Sequence, residues 1–166
     1  MRILTATAVA TLAAVAAVPA RAQVHFGPQL NWASNSIGVG IGGRVEASLA
    51  KAIPTMKGLG VTGSFDLFFP GSGLTYWEIN GVGTYSFEIP NVKSIAPYAG
   101  AGLVVAHTSV SGCSAILGVS CSETNVGLDL LGGTKFTSVG KITPFAEIRI
   151  ELRTGSAVVL TGGVLF

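Results

Sequence analysis

Apolar and polar residues alternate with a period of two along this chain, in segments of roughly ten residues separated by turn residues. The alternation is sharpest over residues 142–152, where Ile148 and Ile150 fall on one side and Arg149 and Glu151 on the other. Successive side chains of a β-strand point to opposite faces. The pattern therefore predicts strands that each have one apolar face and one polar face.

Eight segments of this kind follow residue 22. Pro28 interrupts the first segment, because proline has no N–H to donate to a neighbouring strand, and the fifth and eighth are apolar on both faces. The segments span residues 24–32, 37–49, 59–69, 77–89, 96–106, 126–136, 142–152 and 157–166. They predict an all-β fold, an eight-stranded antiparallel up-and-down β-barrel.

The composition indicates which face of these strands is outside. Only 11% of the residues are charged and 49% are hydrophobic, which is a poor charged surface for a soluble domain. After residue 22 no apolar stretch approaches the roughly 20 residues that a membrane-spanning helix needs. A closed barrel is the other structure that pairs every backbone group in lipid. We therefore predict a transmembrane barrel; a soluble barrel, with the apolar faces inside, is the alternative.

Residues 1–22 have the features of a secretory signal peptide. Arg2 gives a positive start, an Ala-rich apolar run follows, and Ala-Arg-Ala at 20–22 provides a small-x-small cleavage site. We predict that residues 23–166 form the barrel domain; an N-terminal anchor helix is the alternative. Without Arg2 and Arg21 the 10 basic residues become 8, equal to the 8 acidic ones, so no basic patch remains for nucleic acid.

Aromatic residues fall at both ends of the predicted strands, as they do in barrels whose two rims meet the membrane interfaces. If the first strand runs outward, one group lies at the outer rim and another at the periplasmic rim. They are Trp32, Phe69 and Trp77 at the outer rim, and Phe26, Phe87, Phe136 and Phe166 at the periplasmic rim. Three of the outer connections are short, whereas the fourth, residues 107–123, is long.

Two segments and the last residue are more specific. They are PYAGAGL at 97–103, PFAEIR at 144–149, and a final Phe166. With these features, residues 23–166 resemble the small outer-membrane β-barrel family, whose best-known relative is the membrane domain of outer membrane protein A. The resemblance implies a location in a bacterial outer membrane and contact with its lipids; we also expect a monomer. It further implies that the barrel assembly machinery reads Leu160, Gly162, Val164 and Phe166.

Charges on the inward faces form the first candidate site. Ions in a poorly hydrated interior are costly unless they are paired, and eight strands leave an interior just wide enough for side chains. We predict a salt-bridged network that fills the lumen. Its members are Arg44, Glu46, Asp66, Glu78, Asp129, Glu147, Arg149, Glu151 and Arg153. Six acids against three bases leave open a narrow pore that would prefer cations.

Cys113 and Cys121 form the second candidate. Both lie in the long connection of a chain bound for an oxidising compartment, so we predict a disulfide between them. We predict no metal site, because the nearby His107 and Glu123 match no zinc-ligand spacing. No cofactor is predicted either.

His107, Ser109 and Glu123 raise the alternative of an enzyme. Some outer-membrane lipid A deacylases are barrels of this size with a His-x-Ser pair and a Glu, and a histidine can activate a serine when a third group orients it. In those enzymes the pair lies on the next-to-last strand, and residues 150–155 contain no such pair here. We predict that the chain is not an enzyme and has a structural or surface-interaction role. The narrow pore and the lipid A-modifying enzyme are the alternatives.

Overall fold

Strands that are neighbours in sequence pair antiparallel throughout, and the last strand pairs with the first, so the sheet closes on itself. The computed structural model describes residues 23–71, 73–92, 94–110 and 121–166; the predicted signal peptide, residues 1–22, lies outside them. The predicted eight-stranded up-and-down barrel is confirmed. The strands are β1 (Gln23–Ala33), β2 (Gly38–Ser48), β3 (Leu59–Phe68), β4 (Leu74–Ser86), β5 (Ile95–Val110), β6 (Ser122–Phe136), β7 (Thr143–Leu152) and β8 (Ala157–Leu165).

The barrel has its apolar side chains outside and its charged side chains inside. On β7, Ile148 and Ile150 are 46% and 45% exposed, whereas Arg149 between them is 2% exposed. Leu30 on β1 and Phe65 on β3 are likewise exposed on the outer surface. A soluble barrel would have the reverse arrangement. Within the described ranges, no helix is long and apolar enough to cross a membrane.

The strand bounds differ from the sequence prediction in β4, β5 and β6. β5 continues to Val110 and β6 begins at Ser122, because Ser109 still pairs with Ser122. The predicted long connection, residues 107–123, is therefore too long at both ends. Its side chains are mostly polar and do not alternate with apolar ones, so the pattern gives no sign of a strand. Backbone groups nevertheless continue to pair, because the hydrogen bonds of the ladder do not involve the side chains. β4 also lies earlier in the chain than the predicted 77–89.

β1 and β8 form the seam that closes the barrel. Their register pairs residues 29–33 with β8, and it continues where Phe166 N–H donates to the Phe26 carbonyl oxygen at 2.9 Å. The same register places Pro28 opposite Val164. Hydrogen-bonded pairs alternate along an antiparallel ladder, so Pro28 occupies a bonding position. Because proline has no N–H, it donates no ladder bond to β8.

Gly27 allows the two strands of the seam to approach closely at this place. A Cβ atom at residue 27 would lie 1.7 Å from the carbonyl oxygen of Val164, which is a backbone atom. By contrast, a Cβ atom at Gly43, on the outer face of β2, would meet nothing within 4 Å. The seam therefore requires glycine at position 27.

We expect Gly27→Ala to weaken the closure between β1 and β8, because the added methyl group has no space. The free energy of unfolding in lipid vesicles should fall by at least about 1–3 kcal/mol, the usual cost of overpacking. Gly43→Ala is the matched control and should unfold like the parent chain. Equal stability of the two variants, measured by urea unfolding, would contradict the glycine requirement.

The orientation of the strands gives a second prediction. Ile148→Arg places a charge on the lipid face near the middle of β7, where it should cost about 2–4 kcal/mol of folding free energy in a bilayer. Ile53→Arg makes the same substitution in the turn after β2, where the side chain is 38% exposed, and should change little. The measurement is folding yield with and without lipid vesicles. Folding of the parent chain without lipid or detergent would refute the transmembrane orientation.

Candidate functional site, the charged lumen

Period-two alternation brings charged side chains from five strands into the lumen. Each predicted member of the network faces inward. The side chains that form ion pairs are at most 10% exposed, and the member that forms none, Asp129, is buried. The members lie on β2 (Arg44, Glu46), β3 (Asp66), β4 (Glu78), β6 (Asp129) and β7 (Glu147, Arg149, Glu151), with Arg153 directly after β7. Their contacts divide them into two clusters.

The balanced cluster consists of Arg44, Glu46, Lys135 and Glu147. Arg44 Nη1 lies 2.8 Å from Glu147 Oε2, and Arg44 Nη2 lies 3.0 Å from Glu46 Oε1. Lys135 binds the second carboxylate oxygen of Glu46. Two bases meet two acids, so the cluster is electrically neutral and every charge in it has an opposite neighbour.

Aromatic rings complete the surroundings of Arg44. Its guanidinium carbon lies 4.6 Å from the ring centre of Phe145 and 5.8 Å from that of Tyr98, which is the distance range of cation–π interactions. The Tyr98 hydroxyl also donates to Glu147 Oε2 at 2.8 Å. The rings therefore hold the guanidinium in place and exclude water from its ion pairs.

The acidic cluster consists of Asp66, Glu78, Asp129, Arg149, Glu151 and Arg153. Asp66 is the best-satisfied acid in it, because five side chains donate hydrogen bonds to its carboxylate. The donors are Gln29 (2.6 Å) and Asn31 (2.7 Å) to Oδ1, and Ser64 (3.1 Å), Asn80 (3.2 Å) and Arg149 (3.1 Å) to Oδ2.

Glu78 and Glu151 share Arg153 as a cationic partner. Arg153 Nη2 lies 3.3 Å from Glu78 Oε1 and 3.2 Å from Glu151 Oε2. Tyr76 also donates its hydroxyl hydrogen to Glu78 Oε1, and Arg149 Nη2 is 3.9 Å from Glu78 Oε2. The remaining oxygens, Glu78 Oε2 and Glu151 Oε1, have no hydrogen-bond partner in the part of the chain that the structure describes.

Asp129 differs from the other acids. It is 0% exposed, and neither of its carboxylate oxygens has a hydrogen-bond partner among the described residues. Its register neighbours are Gly102 on β5 and Glu151 on β7. Asp129 therefore faces a hydrogen atom on one side and a second acid on the other.

Apolar side chains form two buried groups in the lumen, at different levels. One group lies at the rim opposite the chain ends and packs Phe68 against Tyr76 with ring centres 5.5 Å apart. The other consists of Val82, Tyr98 and Leu131, on the adjacent strands β4, β5 and β6. Both groups occupy lumen space, as expected for an interior that eight strands make only as wide as its side chains.

Solved structures with the same architecture span membranes. The crystal structure of Neisserial surface protein A matches at a TM-score of 0.57 and 21% identity, covering 86% of this chain and 94% of that one. The N-terminal β-barrel domain of Pseudomonas aeruginosa OprF also gives 0.57, at 14% identity, covering 88% and 100%. This chain has the fold of the small outer-membrane barrels.

A designed transmembrane β-barrel shares the small outer-membrane barrel fold, with a TM-score of 0.52 and 10% identity over 86% of this chain and 92% of that one. At these identities the likeness establishes the fold. No protein-family model matches the chain, and no curated protein matches it.

The barrel separates the residues of the hypothetical enzyme site. His107 Nδ1 lies 2.8 Å from Thr124 Oγ1, and its ring stacks on Trp77 with ring centres 5.0 Å apart. Glu123 lies opposite Thr108 in the β5–β6 register, so it points to the face away from His107 and Ser109. The structure does not bring these three groups together.

Two other predictions concern the cysteines and metal ions. Cys113 lies outside the described residues, so the Cys113–Cys121 disulfide stays a prediction. In the described ranges, no three His, Cys, Asp or Glu side chains converge as metal ligands.

Sequence reasoning did not include several lumen residues that the structure brings to the charges. Asn80 and Lys135 lie on the polar faces of their predicted strands, so the alternation alone is enough to include them in the network. Gln29 and Asn31 lie on the strand that Pro28 interrupts, which obscured the pattern. Tyr76, Tyr98, Ser64 and Thr161 were missed because uncharged polar residues do not stand out on an inward face.

Arg149 is the residue on which the acidic cluster depends most. We expect Arg149→Met to lower the free energy of unfolding in lipid vesicles by about 3–5 kcal/mol, because it leaves buried acids unpaired. Lys135→Met is the matched control and should cost less, since Lys135 is 27% exposed and its partner Glu46 keeps Arg44. Adding Asp66→Asn to Arg149→Met should recover part of the loss. Equal losses for both single variants would be evidence against this account.

Proposed function

We propose that this chain is an integral protein of a bacterial outer membrane with a side-chain-filled lumen and a structural or surface-interaction role. The observation that carries the proposal is the pairing of Arg149 across the lumen with Asp66 and Glu78, all three of them fully buried. Ion pairs that connect β7 with β3 and β4 brace the cross-section of the barrel. They also occupy the space that a permeating ion would need.

The fold and the features of the chain ends support this location. The predicted signal peptide would direct the chain out of the cytoplasm, and the apolar outer face would contact outer-membrane lipids. The predicted assembly signal lies on β8 and just after it, with Leu160 and Phe166 exposed on the outer face. Phe166 also reaches the first strand through its hydrogen bond to Phe26. We propose that the barrel assembly machinery reads this edge and that the folded barrel is a monomer.

Two features support a surface-interaction role at the rim opposite the chain ends. β5 and β6 have 16 and 15 residues, compared with 9 residues in β8 and 10 in β7. They therefore extend beyond β7 and β8 at this rim. On the outer surface there, Trp77 of β4 stacks on His107 of β5.

A narrow cation-preferring pore is the second candidate. The observation that favours it is the excess of acids over bases in the acidic cluster, since permeating cations would be attracted there. The apolar groups at two levels of the lumen oppose it. A lipid A-modifying enzyme receives no support from the separated positions of His107 and Glu123.

Planar-bilayer conductance of the refolded, oxidised protein tests the filled lumen. We expect no resolved conductance steps in potassium chloride at neutral pH. The same sample should migrate heat-modifiably on a gel, which verifies that it is folded, and a general porin should conduct in the same bilayer. Reproducible cation-selective steps would favour the pore and overturn the proposal. Recovery of the processed protein in the soluble periplasmic fraction would overturn the membrane location.

A further inference from the structure

The two clusters of the lumen differ in their charge balance. The balanced cluster has two acids and two bases. Among the described residues, the acidic cluster has four acids, Asp66, Glu78, Asp129 and Glu151, and two bases, Arg149 and Arg153. All four acids are 0% exposed, so solvent does not screen them. The acidic cluster therefore lacks two positive charges.

The contacts indicate where the two positive charges are missing. Asp66 has five hydrogen-bond donors, including the guanidinium of Arg149, and is fully compensated. Asp129 has no hydrogen-bond donor in the described part of the chain. Glu78 and Glu151 bind the same Nη2 atom of Arg153 and so are neighbours that share one positive charge. One charge is missing at Asp129, and the other is missing between Glu78 and Glu151.

Among the described residues, no other strand supplies the missing charge. The inward residues of β1 that face the cluster are the neutral Gln29 and Asn31, and the corresponding residue of β8 is Thr161. Arg44 and Lys135 are already occupied by Glu46 and Glu147 in the balanced cluster. β5 contributes Gly102 and Val104 at these levels. Buried acids without a partner are neutralised by taking up a cation, because an isolated buried charge costs too much free energy.

We propose that the acidic cluster is a binding site for small monovalent cations, with one at Asp129 and one between Glu78 and Glu151. The cation is a proton or an alkali-metal ion, each of which binds carboxylate oxygens. Protons fit the described residues better, because no three ligands converge there. The inference concerns the occupancy of the lumen and holds whether or not the barrel conducts.

Infrared spectroscopy of the folded barrel in lipid vesicles at neutral pH tests the proton. A protonated carboxyl group gives a C=O stretching band that a carboxylate lacks. We expect this band in the parent chain, a weaker band in Asp129→Asn and in Glu151→Gln, and none in the double variant. Glu46→Gln is the matched control, a buried glutamate of the balanced cluster on the same inner surface, and should keep the full band.

Urea unfolding in sodium, potassium and choline chloride at equal ionic strength tests the alkali-metal ion. If that ion is the ligand, the band is absent and the unfolding midpoint rises in sodium or potassium relative to choline, but not in Asp129→Asn.

Asp129→Asn should be at least as stable as the parent, because it removes an uncompensated charge, whereas Asp66→Asn should be less stable. The proposal is overturned if the parent shows neither the band nor the ion dependence. A full band in the Glu151→Gln, Asp129→Asn double variant would overturn it as well. Conductance is measured in a separate experiment, so a negative result for cation binding does not contradict the proposed function.

Discussion

In lipid no water replaces a missing hydrogen-bond partner, so every backbone N–H and C=O of a spanning segment must be satisfied within the protein. A sheet meets this requirement when its first and last strands pair, as β1 and β8 do here. Closure then gives each strand one face toward lipid and one toward the lumen, and alternation in the sequence becomes a separation of inside from outside. The charges are confined to the lumen, where they must find partners among themselves.

The lumen side chains connect strands that the backbone does not. Backbone ladders join each strand to its two neighbours, whereas the carboxylate of Asp66 receives hydrogen bonds from β1, β3, β4 and β7. Arg44 on β2 likewise reaches Glu147 on β7. These contacts cross the barrel and fix the shape of its cross-section. They also make the interior intolerant of unpaired charge, which is why the uncompensated acids stand out.

The alternation of side chains between the two faces of each strand explains how much of the lumen arrangement could be predicted from the sequence. A shift of one residue would move every side chain of a strand to the other face, so the inward position of Arg149 followed from its apolar neighbours. The strand ends did not follow, because the β5–β6 ladder continues through the polar residues His107 and Glu123. The ion-pair partners could not be predicted either. The pairing of Arg44 with Glu147 depends on how far the strands are staggered around the barrel, which no single segment encodes.

The seam joins the two ends of the chain: His25 Nδ1 lies 3.2 Å from the Phe166 carbonyl oxygen, across 141 positions of sequence. Every other strand pairing joins consecutive strands, and contacts between distant parts of a chain form slowly. We therefore expect the seam to form last during folding. We expect unfolding to begin there as well, because the ladder between β1 and β8 lacks the N–H donor that Pro28 removes.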